Sequence, residues 1–124
     1  MYKIIKKMEV AGAHKLDLPY ESKCSNLHGH NWNIEVQIES EELTEYGMVM
    51  DFTHIKRVVN QLDHAFINDV VGVNPTAENI AKWIADQLTG MFDGIYVKCT
   101  RVSVEESAHN TAIYEVKGGC NGGR

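Results

Sequence analysis

The stretch His28-Gly29-His30-Asn31-Trp32-Asn33-Ile34-Glu35-Val36-Gln37-Ile38-Glu39 decides the fold. Its even positions are His, His, Trp, Ile, Val and Ile; its odd positions from Asn31 onward are Asn, Asn, Glu, Gln and Glu. A strand sends successive side chains to opposite faces, so this alternation predicts a half-buried β-strand with both histidines on the apolar face. Two imidazoles at i and i+2 then point the same way, a few ångströms apart, which suits two ligands of one metal ion.

Upstream, Tyr2 to about Leu16 reads as a partner strand. Ile4, Met8, Val10 and His14 share one face, and Lys6 breaks the pattern. A polar loop from Asp17 to about Leu27 joins the two strands, and an acidic turn, Glu41 to Gly47, closes the unit. Downstream, Asp51 or Thr53 can cap a helix whose apolar positions are Ile55, Val58, Val59, Leu62 and Phe66. A loop from Asn68 to Pro75 ends it. A second helix follows, capped by Asn74 or Thr76, with Ala77, Ile80, Ile84, Leu88 and Met91 on its buried stripe and Trp83 alongside. Two strands close the chain, Ile95 to Glu106 and Thr111 to Val116. In the first, Ile95, Val97 and Cys99 alternate on one parity and Val102 and Val104 on the other, so a bulge is expected between them. The order ββααββ predicts an α+β domain over residues 1–117, an antiparallel sheet with a helix pair on one face. Residues 118–124, Gly-Gly-Cys-Asn-Gly-Gly-Arg, read as a flexible tail.

Composition narrows the function. The chain has 124 residues, the length of one domain with a modest core. Lys plus Arg number 12 and Asp plus Glu 17, giving a net charge of −5, which argues against nucleic acid or an anionic membrane as the main partner. No apolar run is long enough to span a bilayer, and the N-terminal residues lack a secretory signal, so a cytoplasmic location is expected. Three widely spaced cysteines, Cys24, Cys99 and Cys120, do not form a disulfide framework. Each is expected to be a free thiol.

Chemistry-bearing residues cluster on the predicted hairpin. His14 falls on the same inward parity as His28 and His30, and three histidines with a fourth position left for substrate is the pattern of a catalytic zinc site. The alternative, three core histidines, would bury three imidazoles that each need partners. Gly29 is expected to admit another chain segment or a substrate. Cys24 lies four residues before His28. Near a metal or a cationic histidine its thiol could act as base or nucleophile; it could equally be a fourth metal ligand or a small buried residue. Asp63-His64 pairs a carboxylate with an imidazole, a way to fix a tautomer and raise basicity, though such neighbours are common on solvated helix ends. Glu106 shares the face of Val102 and Val104, whereas Glu105 points away. A carboxylate on an apolar face needs a partner.

Taken in order, Ala13-His14, Cys24-Ser25-Asn26-Leu27-His28-Gly29-His30, Gly47-Met48-Val49-Met50-Asp51-Phe52, Leu62-Asp63-His64 with Asn68, Pro75-Thr76-Ala77-Glu78-Asn79 and Val104-Glu105-Glu106 resemble the 6-pyruvoyl-tetrahydropterin synthase superfamily of the tunnelling fold. The resemblance implies zinc held by His14, His28 and His30, and catalysis by Cys24, Asp63 and His64. It implies pterin binding by Glu106, with Thr76 and Glu78 in the substrate site and Glu105 as the fallback anchor. The spacing Cys-x-x-x-His-Gly-His is similar to that of the bacterial 6-carboxytetrahydropterin synthases of queuosine (7-deazapurine) biosynthesis; Ser107 stands where Thr often follows the glutamate. The implied reaction converts 7,8-dihydroneopterin triphosphate to 6-carboxy-5,6,7,8-tetrahydropterin, acetaldehyde and triphosphate. Zinc polarises the side-chain oxygens, Cys24 and His64 move protons, and no nicotinamide is needed. The family assembles as trimers and hexamers with the pocket between subunits, and Lys15, Lys23 or Lys56 could meet the triphosphate.

Three other readings stay open. One is a pyruvoyl-forming synthase. Another is a folate-pathway relative, against which Cys24 argues because those tend to have Glu there. The third is a non-catalytic zinc-stabilised module in which Cys24 closes the metal site.

Overall fold

The computed structural model describes residues 1–116; the glycine-rich segment and Cys120 lie outside the described residues. β1 (Tyr2–His14) and β2 (His28–Ser40) form the long antiparallel hairpin expected from their alternation. Their register places His14 opposite His28, Gly12 opposite His30 and Val10 opposite Trp32. Val10, Trp32, Ile34, Val36 and Ile38 are buried, and the intervening polar residues face outward. Lys6, on the inward parity, is half-buried.

α1 (Phe52–Val59) is capped by Asp51, whose carboxylate accepts the Thr53 N–H at 2.8 Å. The expected continuation of this helix to Phe66 does not occur. A 3₁₀ turn (Asn60–Leu62) ends it, Asp63 is extended, and Ala65–Phe66 form a short strand, β3, parallel to β1. The reason is tertiary. Asp63 Oδ1 accepts the Ala11 N–H at 2.9 Å and the His64 N–H donates to the Ala11 carbonyl, so the edge of β1 recruits these residues. The expected Asn68–Pro75 loop contains a further short helix, α2 (Ile67–Val71), ending at Gly72 with φ +72°.

α3 (Ala77–Gln87) is capped by Thr76, which accepts the Asn79 N–H at 3.1 Å. It stops before Met91, which is exposed in β4 (Gly90–Phe92) rather than on a helical stripe. Gly90, at φ +142°, breaks the helical path. β5 (Ile95–Ser107) pairs with β2, with β4 along its first residues and with β6 (Asn110–Glu115) along its second half. The sheet order is β3-β1-β2-β5-β4, with β6 also on β5. The anticipated bulge is present. Gln37 faces Arg101 and Ile38 faces Cys99, so Thr100 is the extra residue, and it switches the buried parity from Val97 and Cys99 to Val102 and Val104. Ile55, Val59, Ile80, Ile84 and Leu88 cover the inward face of the sheet and complete the core. Among the described residues no helix is long and apolar enough to cross a membrane.

Candidate active site

The inward ends of β1, β2 and β5 bring four side chains together. One ligand atom each from His14, His28, His30 and Glu106 lies within 4.8 Å of the other three. The imidazoles of His14 and His28 have centroids 4.5 Å apart, and those of His28 and His30 4.9 Å. Trp32 forms an apolar floor, its ring centroid 4.8 Å from His14 and 5.2 Å from His30. Trp32 is itself fixed, because its indole N–H donates to the Gly12 carbonyl at 3.1 Å.

Backbone carbonyls orient two of the rings. His14 Nδ1 is 2.8 Å from the Pro75 oxygen and His28 Nδ1 is 2.7 Å from the Asn26 oxygen. A carbonyl can only accept, so each Nδ1 carries the proton and each Nε2 presents a lone pair. This is the outer-shell arrangement typical of metal-bound histidine. Nε2 of His14 and of His30 are buried with no hydrogen-bond partner among the described residues. His14 is completely buried, and that burial, the largest influence, holds its pKa below the usual imidazole value, so its neutral form is favoured. Converging ring nitrogens, those of His14 and His30 orphaned and the His14 ring favoured neutral, fit a metal ion, and the cluster can hold one.

Glu106 lines a small pocket of about 230 Å³ together with His14, Thr76 and Glu78. The four residues come from β1, β5 and the start of α3, so residues far apart in sequence share one wall. A larger cleft of about 830 Å³ is lined by Gly29, Asn31, Lys15, His64 and Phe66, among others. His64 has φ +54° and a side chain 84% exposed; its Nε2 is 3.7 Å from Asp63 Oδ2. Neither Asp63 nor His64 belongs to the four-donor cluster, and neither does Cys24.

Cys24 is half-buried in a 3₁₀ turn, Lys23–Ser25. Ser22 caps that turn, and the Cys24 carbonyl accepts the Leu16 N–H at 2.7 Å, which pins the thiol's backbone to the residues after β1. Of the three candidate lysines, Lys15 borders the larger cleft, Lys23 sits in the Cys24 turn and Lys56 is exposed on α1. Glu105 faces away as expected, accepting a hydrogen bond from Asn33 at 3.0 Å.

Several contributors had weak signals in the sequence. Asn68 exchanges two hydrogen bonds with the backbone of Lys15, and Asn74 does the same with Asp17. Asn74 therefore clamps the exit of β1 instead of capping α3. The tight glycine is Gly12, not Gly29. A Cβ at Gly12 would stand 2.7 Å from the Leu62 oxygen, whereas one at Gly29 would meet only the Gly12 oxygen, at 3.7 Å.

Comparison with known proteins places this arrangement. A Synechocystis protein named 6-carboxy-5,6,7,8-tetrahydropterin synthase is 41% identical over 98 residues, covering 71% of this chain and 75% of that protein. A Pyrococcus furiosus protein named dihydroneopterin monophosphate aldolase is 36% identical over 108 residues, covering 84% and 89%. The structure of Caenorhabditis elegans 6-pyruvoyl tetrahydropterin synthase superposes with a TM-score of 0.69 at 23% identity, covering 94% of this chain and 96% of that one, so the two share the α+β tunnelling fold. The family model described as 6-pyruvoyl tetrahydropterin synthase matches residues 3–117. The chain is an enzyme of the 6-pyruvoyl tetrahydropterin synthase family.

Proposed function

We propose that the chain is a zinc enzyme that converts 7,8-dihydroneopterin triphosphate to 6-carboxy-5,6,7,8-tetrahydropterin, acetaldehyde and triphosphate, a step of queuosine biosynthesis. The observation that carries this reading is the convergence of the three imidazoles of His14, His28 and His30 beside a pocket walled by Glu106, Thr76 and Glu78. The Cys-x-x-x-His-Gly-His spacing and relatives such as the Synechocystis protein support the choice of product.

In this reading His14, His28 and His30 hold zinc, which supplies a Lewis acid towards the oxygens of the substrate side chain. Glu106 accepts the paired N–H donors of the aminopyrimidinone ring, a bidentate geometry that fixes the ring's orientation. Thr76 and Glu78 border the same pocket. Cys24 exchanges protons with the substrate side chain, and His64, beside the Asp63 carboxylate, is the second proton carrier. Lys15, on the wall of the cleft that also carries His64, is placed to meet phosphate charge. The exposed His64 and the sheet edges that have no pairing strand among the described residues support a homo-oligomer, a trimer or hexamer, in which the pocket is completed between subunits.

The test is product identification after incubation with dihydroneopterin triphosphate and zinc, with no nicotinamide. Acetaldehyde and 6-carboxytetrahydropterin, each identified by mass, are the expected outcome. 6-Pyruvoyl-tetrahydropterin as the sole product, without acetaldehyde, overturns the product assignment. The Pyrococcus furiosus relative supports a second reading, cleavage of the monophosphate; turnover of dihydroneopterin monophosphate but not of the triphosphate would select it.

A further inference from the structure

We infer that Glu106 serves two ligands in turn: its carboxylate takes the fourth position on the metal held by His14, His28 and His30 while no pterin is bound, and leaves the metal when a pterin enters. The metal and pterin assignments on which this rests are those of the proposed function.

Distance is the first argument. Glu106 Oε1 lies 3.4 Å from His30 Nε2 and 3.7 Å from His14 Nε2. Nitrogen and oxygen ligands bind zinc at about 2.0–2.2 Å in a tetrahedron, which sets neighbouring donors about 3.3–3.6 Å apart. Hydrogen bonding, by contrast, requires about 2.7–3.2 Å. The carboxylate thus stands about one tetrahedral edge from two of the imidazole nitrogens.

Charge is the second. His14 Nδ1 commits its proton to the Pro75 carbonyl, so its Nε2 turns a lone pair towards an anion. Two acceptors facing each other, one of them fully buried and the other half-buried, repel unless a cation lies between them. A divalent metal bound to both removes the conflict.

Freedom is the third. Glu106 falls where the pairing of β5 with β6 slips: Glu105 faces Thr111 and Ser107 faces Asn110, leaving Glu106 as the extra residue. The pairing of β5 with β2 ends at Glu105. Bulges at site margins re-aim a side chain, and among the described residues the polar approaches the structure gives this carboxylate are those to His30 and His14, both longer than a hydrogen bond. It also lines the small pocket with Thr76 and Glu78, so a modest rotation exchanges metal for pterin.

The experiment is zinc titration of pterin-free protein against a competing chelator, with cobalt-substituted protein as the spectroscopic readout. Glu106→Gln is expected to bind zinc at least about tenfold more weakly than wild type, whereas Glu105→Gln, on the outward face, binds as wild type does. Glu106→Asp keeps the charge but withdraws it by one methylene; it is expected to show the same direction of loss and stands in if the Gln variant does not fold. Wild-type zinc affinity in both Glu106 variants overturns the fourth-ligand assignment. Unsubstituted pterin, which has no side chain to offer the metal, is then added to the cobalt protein. The visible band of wild type is expected to move towards that of pterin-free Glu106→Gln. A pterin that binds, by calorimetry, without moving the band overturns the exchange. Failure to bind pterin at all overturns both the exchange and the pocket assignment, and the zinc affinity ratio, measured without pterin, still judges the fourth position separately.

Discussion

The imidazole of His14 and the carbonyl oxygen of Pro75 are 2.8 Å apart, although 61 residues separate them in the chain. The contact fixes both the plane and the tautomer of the most buried candidate ligand. Its geometry depends on the loop before α3, where Asn74 accepts from and donates to the backbone of Asp17 and its own carbonyl accepts from the Asn79 side chain.

Asn74→Ala is therefore expected to weaken zinc binding by up to about tenfold, the range seen when an outer-shell partner is disturbed. It should also lower the stability of metal-free protein by about 1–2 kcal/mol, the ordinary worth of the two side-chain hydrogen bonds it removes. Zinc titration and denaturant unfolding measure the two effects separately. A stability loss with unchanged zinc affinity would show that the loop does not position His14.

The Gly12 backbone carries the Trp32 indole hydrogen bond on one side and abuts Leu62 and Ile67 on the other. A methyl group there would stand 2.7 Å from the Leu62 oxygen and 2.8 Å from Ile67 Cδ1. Backbone cannot step aside as a side-chain end can. Gly12→Ala should cost about 1–3 kcal/mol of stability, the range for overpacking a filled core, while Gly29→Ala should cost much less. Urea unfolding of the two variants makes the comparison, and equal costs would contradict the packing seen around Gly12.

How much of this was legible in the sequence depends on the range of the interaction. The hairpin that carries His14, His28 and His30 follows from period-two alternation, a local signal, and the bulge at Thr100 follows from the parity change between Cys99 and Val102. Residues 60–66 do not follow from local pattern. Leu62 and Phe66 continue the helical spacing of α1, yet the free edge of β1 competes for the same backbone and wins. Met91 is misleading for the same reason, since its spacing fits α3 but Gly90 turns the chain into β4. At the site, the inward parity of Glu106 was readable. Its approach to His14 and His30 was not, because that depends on the slip in pairing between β5 and β6. The clamps made by Asn68 and Asn74 were hidden too, since an asparagine in a loop reads first as a turn or cap residue.

Cys24 and His28 lie four residues apart but are expected to behave differently. His28 belongs to the four-donor cluster, its Nδ1 being held by the Asn26 carbonyl, and Cys24 lies outside it. His28→Ala should lose the bound metal, about one zinc per chain in wild type, together with the rise in unfolding temperature that a ligand bound only to the folded state confers. Cys24→Ala should keep its zinc and that thermal shift but lose turnover. Metal analysis and thermal unfolding with and without chelator follow the first property; the product assay follows the second. Loss of zinc from Cys24→Ala would instead make the thiol a ligand and favour a closed, structural metal site.

Cys99 supplies a test of the core that is independent of the site. It is buried on β5, and that burial pushes its thiol pKa from 9.0 up to about 12. The folded state therefore holds its proton where the unfolded state has lost it. With the folded value raised, the stabilising contribution is complete below pH 9 and is lost as pH rises from 9 towards 12. Within that window the decline approaches about 1.4 kcal/mol per pH unit for one group. Cys99→Val keeps a small apolar side chain and removes the titration. Unfolding free energy measured in urea from about pH 8 to about pH 11 should fall more steeply for wild type than for Cys99→Val, the two curves separating above pH 9. Titrating groups other than Cys99 contribute equally to both proteins and cancel in the difference. Parallel curves across the whole range would mean that the Cys99 thiol titrates alike in the folded and unfolded chain.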